Sequence, residues 1–359
     1  MYIAIIIAFT VSSVVVIYFT PKILLLSLKR KITDSFESRK MHTEIASRLG
    51  GLSFYPAIFV ALHLSLAFFY ISRDTSIAYQ YPKIIFIACA LLILYVLGVI
   101  DDIWGVRYRM KFIFQILAAI FVIISGIWIK SLHGFCGIEG LSDWAGILLT
   151  IFLLVFIVNS FNFIDGIDGL ATCLAIVALL IYGIISVKES KLLYSLATSA
   201  TLGALIPFCY FNLFRIRRKY TSKIFMGDGG TLVIGFVLGI LALSLWNTEG
   251  ADKQSPDSQI VAYSMLIVPC FDTIRVCIYR IRRGKSLFSP DRNHIHHQLM
   301  KIGFSQHQVV LILTLVQILF FILNICLTNV LNITCIVAID ILCATMLFIL
   351  IKKKLKTKQ

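Results

Sequence analysis

Charge is what this sequence has least of. Of its 359 residues only 14% are Asp, Glu, Lys or Arg, and just 18 are acidic. An ordinary soluble domain carries about 25% charged residues, so that class is excluded. No CxxC pair occurs among the nine Cys. Eight of them, Cys89, Cys173, Cys209, Cys270, Cys277, Cys326, Cys335 and Cys343, sit in or beside apolar runs as small hydrophobes. Disulfides and a Cys-ligated zinc are therefore not expected. There is no internal repeat, low-complexity tract or linker, which predicts one membrane-embedded domain over residues 1–359. Paired, interrupted spans of the transporter kind are not evident either.

What is plentiful is hydrocarbon. The chain is 59% hydrophobic, with mean hydropathy +0.92. Runs of spanning length, about 17–25 residues each, fall near 3–26, 50–71, 83–100, 112–129, 144–163, 169–187, 192–213, 231–247, 259–279, 308–327 and 331–351. The expected fold is all-α: a polytopic integral membrane protein of about eleven transmembrane helices. The first run lacks a basic leader and a small-residue cleavage site, and reads as a membrane helix. Placing the N-terminus outside puts 25 Lys and Arg on one set of loops and 6 on the other. The positive-inside rule makes the first set, with the C-terminus, cytoplasmic. The formal charge of +15 then faces anionic lipid head groups and phosphorylated substrates. Short basic loops without an interleaved aromatic domain point away from nucleic acid.

Against that apolar background stands N-S-F-N-F-I-D-G-I-D-G-L-A, Asn159 to Ala171. Four polar side chains at steps of three would wind halfway round one continuous helix. The better reading ends a span at Asn159 and Asn162, with Gly166 and Gly169 freeing the backbone where Asp165 and Asp168 turn toward a shared cation or phosphate site. Asp101 and Asp102 close the third run. Adjacent carboxylates repel unless a cation or proton intervenes, which suits a Mg²⁺ site or a general base, whereas a hydrated helix end is the plainer reading. Lys111 follows, with Gln115 on the same face, either to reach a phosphate or to snorkel.

F-M-G-D-G-G-T places Asp228 between glycines just before a span, as a cation or phosphate turn or as a helix-capping Asp. Arg39, Lys40, His42 and Arg48 precede Gly50 and Gly51, forming a cationic rim with close backbone approach or a plain positive-inside loop. Asp272 and Arg275 stand i, i+3 in apolar sequence, as an intrahelical pair or as a wall of the site. The longest loop carries D-R-N-H-I-H-H, with Arg292, His294, His296 and His297. Arg and His suit a diphosphate; zinc would need a better-spaced ligand frame. With the orientation fixed by Lys and Arg alone, all the motifs of the candidate site fall on the cytoplasmic side.

Taken together these strings resemble the polyprenyl-phosphate N-acetylhexosamine-1-phosphate transferase family, glycosyltransferase family 4. R-K-x-H, R-L-G-G, D-D, N-x-x-N-x-x-D-G-x-D-G-L-A, F-M-G-D-x-G, P-x-F-D-T and D-R-x-H-x-H-H follow in family order over nearly the whole chain. The N/D/G string and the His string are the specific ones. The closest likeness is to the bacterial branch that loads N-acetylglucosamine 1-phosphate onto undecaprenyl phosphate.

The resemblance implies an enzyme of the cytoplasmic (inner) membrane, its site facing the cytoplasm, with Mg²⁺ as cofactor and Mn²⁺ as a substitute. Its implied partners are a UDP-N-acetylhexosamine, polyprenyl phosphate and membrane lipids, with a homodimer compatible. It implies catalytic roles for Asp101, Asp102 and Asp228, and metal roles for Asp228, Asp165 and Asp102. Lys111, Asn159, Asn162, Asp165, Asp168, Arg292, His294, His296, His297, Arg39 and His42 would bind substrate. Two departures stand out: Gly105 replaces the third acid of D-D-x-x-D, and Ala46 and Ser47 replace a Pro-containing approach to R-L-G-G. Covalent and direct routes stay open, as do other UDP-amino sugars: GalNAc, FucNAc, QuiNAc or MurNAc-pentapeptide. An ion-coupled transporter using the intramembrane acids is the reading from another class.

Overall fold

The computed structural model describes residues 1–30, 46–71, 80–214, 223–247, 258–287 and 293–357. Thirteen α-helices dominate these residues. They are α1 (Tyr2–Arg30), α2 (Phe54–Ile71), α3 (Tyr81–Trp104), α4 (Tyr108–Ile124), α5 (Asp143–Ile164), α6 (Leu170–Lys188), α7 (Leu192–Leu213), α8 (Gly227–Trp246), α9 (Ser258–Ser264), α10 (Ile267–Arg282), α11 (Ile295–Ile302), α12 (Gln306–Leu327) and α13 (Ile333–Lys356). Strands are confined to two small pairs: β1 (Ala46–Ser47) with β4 (Lys223–Ile224), and β2 (Ser131–Phe135) with β3 (Ile138–Gly140). The chain is an all-α, multi-pass membrane protein.

Each of the eleven apolar runs falls on helix, with two corrections. The ninth is not one helix: α9 and α10 meet at a 56° bend. The fourth run, 112–129, is helical only as far as Ile124, while Lys111 lies in the first turn of α4 as expected. Among the described residues nine helices are long and apolar enough to cross a membrane, ten if the bent pair is one span; α4, at 17 residues, falls just short of that length.

Helix α8 is apolar all round, and every residue from Gly229 to Leu245 is buried, the pattern of a helix enclosed by others. Small residues let its neighbours approach, as they must where lipid removes the hydrophobic drive between helices. A Cβ on Gly98 of α3 would lie 2.5 Å from Gly229 Cα, and one on Gly235 would lie 3.0 Å from Phe161 Cβ of α5. Large apolar side chains such as Leu148, Phe152, Leu311, Leu319 and Met346 stay exposed on the outer faces, where lipid meets them.

Polar groups inside the bundle are satisfied in ways the residues dictate. Pro207 has no N–H to give Gly203 O one turn earlier; the Ser13 hydroxyl of α1 donates there instead, at 3.0 Å. Ser199 Oγ of α7 likewise donates to Ile5 O at 2.7 Å. Helix α12 opens on a capping box, Ser305 with Gln308. At the end of the bundle remote from the acids, the β2–β3 hairpin is pinned to α8 by Trp246 Nε1 donating to Ser131 O at 2.8 Å.

Candidate functional site

At the other end of α8 the polar residues converge. Helix α3 runs on to Trp104 and stops at Gly105, whose φ of +75° lets the chain turn away. This conformation gives Gly105 a backbone reason to stand where related sequences carry an acid. Asp101 Oδ1 accepts from Val106 N at 2.7 Å and Oδ2 from Lys111 Nζ at 2.6 Å. Lys111 also donates to Asp228 Oδ2, at 2.5 Å, and so stands between two carboxylates.

Asp102 does something the D-D pair does not announce. Its Oδ1 accepts from Asp228 N at 2.8 Å and its Oδ2 from Gly229 N at 2.9 Å. It is an N-cap supplied to α8 from another helix, where the unpaired amides and the positive end of the dipole favour an anion. The R-L-G-G segment holds α8 from the opposite side. Gly50 N donates to Phe225 O at 3.0 Å and Gly51 N to Met226 O at 2.8 Å. These two glycines admit backbone closely, as the sequence reading expected, and the backbone they admit is the segment that leads into α8.

Asn162, in the last turn of α5, donates to Asp228 Oδ1 at 3.1 Å and to Thr231 Oγ1 at 2.7 Å. Asn159 donates to Gln115 Oε1 at 2.6 Å, tying α5 to α4. The helix ends at Ile164, and Asp165 to Gly169 form the predicted break before α6. Gly169, at φ +82°, donates its N–H to Asn212 Oδ1 at 2.6 Å, and Asn212 Nδ2 donates to Ile224 O at 2.9 Å. Asn212 thus hangs the Asp loop on the strand that leads into α8. Asp168 is buried in this loop. Asp165 carries no hydrogen bond or ion pair among the described residues. Desolvation, then the nearby charges of Asp168, Asp228 and Asp102, push its carboxyl up to about 8.

The His loop completes the wall. Asp272 of α10 accepts from Arg275 Nη2 at 2.6 Å, from His294 Nδ1 at 2.8 Å and from Ile295 N at 3.0 Å. It forms the intrahelical pair with Arg275 that the sequence suggested and, through His294 and Ile295, also anchors the α11 N-terminus, which the sequence did not suggest. His294 stacks on His296 with ring centres 5.7 Å apart, and His297 lies 4.2 Å beyond. His296 is buried with neither ring nitrogen hydrogen-bonded, and burial holds its pKa down at about 3. It is a neutral donor or acceptor there. A Cβ on Gly166 would lie 2.1 Å from His296 Nε2. Gly166 is thus needed for space. Gly166→Ala is expected to destabilise by about 1–3 kcal/mol, as overpacking does; an unchanged unfolding midpoint in detergent would contradict this contact.

The structure therefore joins Asp101, Asp102, Lys111, Asn162 and Asp228 by direct hydrogen bonds, with Asn159, Asp165, Asp168, His294, His296 and His297 on the surrounding wall. Arg39, His42 and Arg292 lie outside the described residues. Sequence reasoning missed Asn212 and Thr231. The first has no motif around it; the second, three residues after Asp228 on the same helix face, had one available.

A family model described as glycosyl transferase family 4 matches residues 84–246, the stretch from α3 to α8 that holds every acid of the cluster. Over 324 residues the chain is 30% identical to the probable undecaprenyl-phosphate N-acetylglucosaminyl 1-phosphate transferase of Bacillus subtilis, covering 89% of this chain and 83% of that relative. The chain belongs to glycosyl transferase family 4. Two further family 4 relatives extend the comparison. The undecaprenyl-phosphate alpha-N-acetylglucosaminyl 1-phosphate transferase of Yersinia pestis is 31% identical over 80% of this chain and 75% of its own length. The decaprenyl-phosphate N-acetylglucosaminephosphotransferase of Mycolicibacterium smegmatis is 33% identical over 77% and 70%. This family 4 member is a membrane phosphotransferase.

Proposed function

We propose that the chain transfers N-acetylglucosamine 1-phosphate from its UDP-sugar to undecaprenyl phosphate, releasing UMP, at the cytoplasmic face of a bacterial inner membrane. The observation that carries this is the Asp101–Lys111–Asp228 chain at one end of membrane helices, walled by the Asp loop and the His cluster. A site at the membrane edge suits a lipid acceptor, and mixed acidic and basic groups suit a diphosphate donor. The acids belong to span ends fixed by helix caps, which favours this reading over a transport path.

In the reaction an oxygen of the lipid phosphate attacks the sugar-bearing phosphorus. The bond from that phosphorus to the bridging oxygen of the diphosphate breaks, and UMP leaves carrying that oxygen. The acceptor phosphate, with a second pKa near about 6, is already largely ionised at neutral pH, so positioning matters more than a strong base. Lys111 supplies positive charge beside Asp101 and Asp228. Asp102 acts as a positioning residue, fixing the α8 amides and with them Asp228. His296, neutral and buried beside the Asp loop, offers a hydrogen bond to the sugar nucleotide.

The donor set fits a hard divalent ion such as Mg²⁺: Asp165 has no hydrogen-bond or ion-pair partner among the described residues, and carboxylate oxygens retain lone pairs after one hydrogen bond. Asp165 and Asp228 would hold the ion, with substrate oxygens and water completing its shell. When bound, the ion would neutralise charge on the diphosphate.

The test is to incubate the purified protein with undecaprenyl phosphate, Mg²⁺ and a panel of UDP-amino sugars, then score UMP. UMP is expected with the N-acetylglucosamine donor, to vanish with EDTA and to return with Mg²⁺ or Mn²⁺. No UMP from any donor overturns the reading, and preference for another sugar replaces that part of it. The raised Asp165 carboxyl adds a pH dependence. Below about 8 the proton competes with the ion, so calorimetric Mg²⁺ affinity should rise with pH, by up to about tenfold per unit for one displaced proton. A flat profile would remove Asp165 from the ligands.

A further inference from the structure

Two thiols meet behind the Asp loop. Cys173 sits in the first turn of α6 and Cys209 one turn before the end of α7, with Sγ atoms 4.0 Å apart. Both are free and half-buried. Each is tied to the hydrogen bond that holds the loop. Cys173 N donates to Gly169 O at 2.8 Å, and Asn212, which accepts from Gly169 N, follows Cys209 by three residues on α7. We propose that Cys173 and Cys209 form an oxidisable dithiol site, whose closure to a disulfide by a peroxide or a small disulfide displaces the Asp165–Gly169 loop and slows phosphotransfer.

The chemistry balances with a peroxide as oxidant. One thiolate sulfur attacks the O–O bond, yielding a sulfenic acid and, after protonation, water. The second thiol attacks that sulfur and expels a second water as the S–S bond forms. The pair loses two electrons and two protons, and one peroxide becomes two waters. The site lies about one helical turn from the ends of α6 and α7 that adjoin the acid cluster, within reach of a water-borne oxidant.

Mechanical coupling follows from the contacts. A disulfide of about 2.05 Å brings the sulfurs roughly 2 Å closer than they stand, drawing the end of α7 toward the start of α6. The two ends are in contact: the side chain of Leu213, the last residue of α7, packs over Gly169 in the space a Cβ there would take. Motion at that contact reaches Asp168 and Asp165 through the backbone. A plain packing role for two small apolar side chains predicts neither the bond nor the coupling.

The effect on turnover rests on the function proposed above, so the experiment reads the bond and the loop separately from activity. Purified full-length protein in detergent is treated with hydrogen peroxide or diamide, then digested without reductant for mass spectrometry. Hydrogen exchange is followed over the loop and UMP release is assayed in parallel. The expected result is a Cys173–Cys209 cross-link, altered exchange across the loop and a loss of turnover of about tenfold or more, since small misplacements near the reacting groups are costly. Dithiothreitol should reverse all three. Cys173→Ser and Cys209→Ser should leave reduced turnover unchanged and abolish both cross-link and oxidant effect. Absence of the cross-link, a cross-link with unaltered exchange or undiminished turnover, or an oxidant effect that survives in both Ser variants overturns the proposal. A reduced protein that releases no UMP would instead overturn the function, with cross-link and exchange still reporting on the dithiol.

Discussion

Replacing Asp228 with Asn is expected to lower turnover by about 10²–10³-fold, the scale of losing one preorganised electrostatic group in an active site. The substitution keeps the size but turns one acceptor oxygen into an NH₂ group facing either the Asn162 donor or Lys111, so its effect combines the lost charge with a mismatched hydrogen bond. Lys111 would keep Asp101 as its only carboxylate, and the Asp165 neighbourhood would lose an anion that a divalent ion needs. The measurement is UMP release per enzyme at saturating donor, beside an unfolding curve that shows the fold intact. Turnover within a few-fold of the parent would move the centre of the site away from α8. Asp102→Asn makes a useful contrast. It turns one oxygen that accepts from an α8 amide into an NH₂ group facing that N–H, so its loss should come with a fall in stability.

Asp272→Ala is the second large effect, and it falls on stability. Asp272 is buried and serves three donors, Arg275, His294 and the Ile295 amide. Removing it leaves the Arg275 guanidinium without its carboxylate in a largely buried place, which costs about 3–5 kcal/mol. It also frees the α11 N-terminus and with it the His cluster. Unfolding in mixed micelles should show the loss, and Asp272→Asn, which can still accept, should recover part of it. A destabilisation under about 1 kcal/mol, the net worth of an ordinary hydrogen bond, would mean the His loop is held by something other than Asp272.

Much of this was legible because polarity in an apolar chain is conspicuous. Asn159, Asn162, Asp165 and Asp168 could be read as a helix end and a turn from their three-residue steps alone, and α5 does end at Ile164. The apolar runs marked the helices for the same reason. What escaped reading was whatever depends on partners distant in sequence. Nothing around Asp102 says that its oxygens serve amides 126 and 127 residues away. Nothing around Asn212 says that it bridges the Asp loop and β4. The bend between α9 and α10 escaped because hydropathy does not record where an axis turns; the signal available was Pro269, which has no N–H for Met265 O. The His run said nothing of protonation, since the desolvation that keeps His296 neutral is a property of the folded neighbourhood.

The cap that Asp102 places on α8 also sets an order for making the protein. Asp101, Asp102 and Lys111 leave the ribosome more than a hundred residues before Asp228. Until α8 inserts, Asp102 has no amides to cap and Lys111 has one of its two acids missing. The acid centre is therefore a late product of assembly, formed when α8 slides between α3 and α5 with Gly98 and Gly235 clearing its way. A nascent chain halted before residue 227 would present Asp102 without its amide partners at the membrane surface, and only a chain that has reached α8 supplies them.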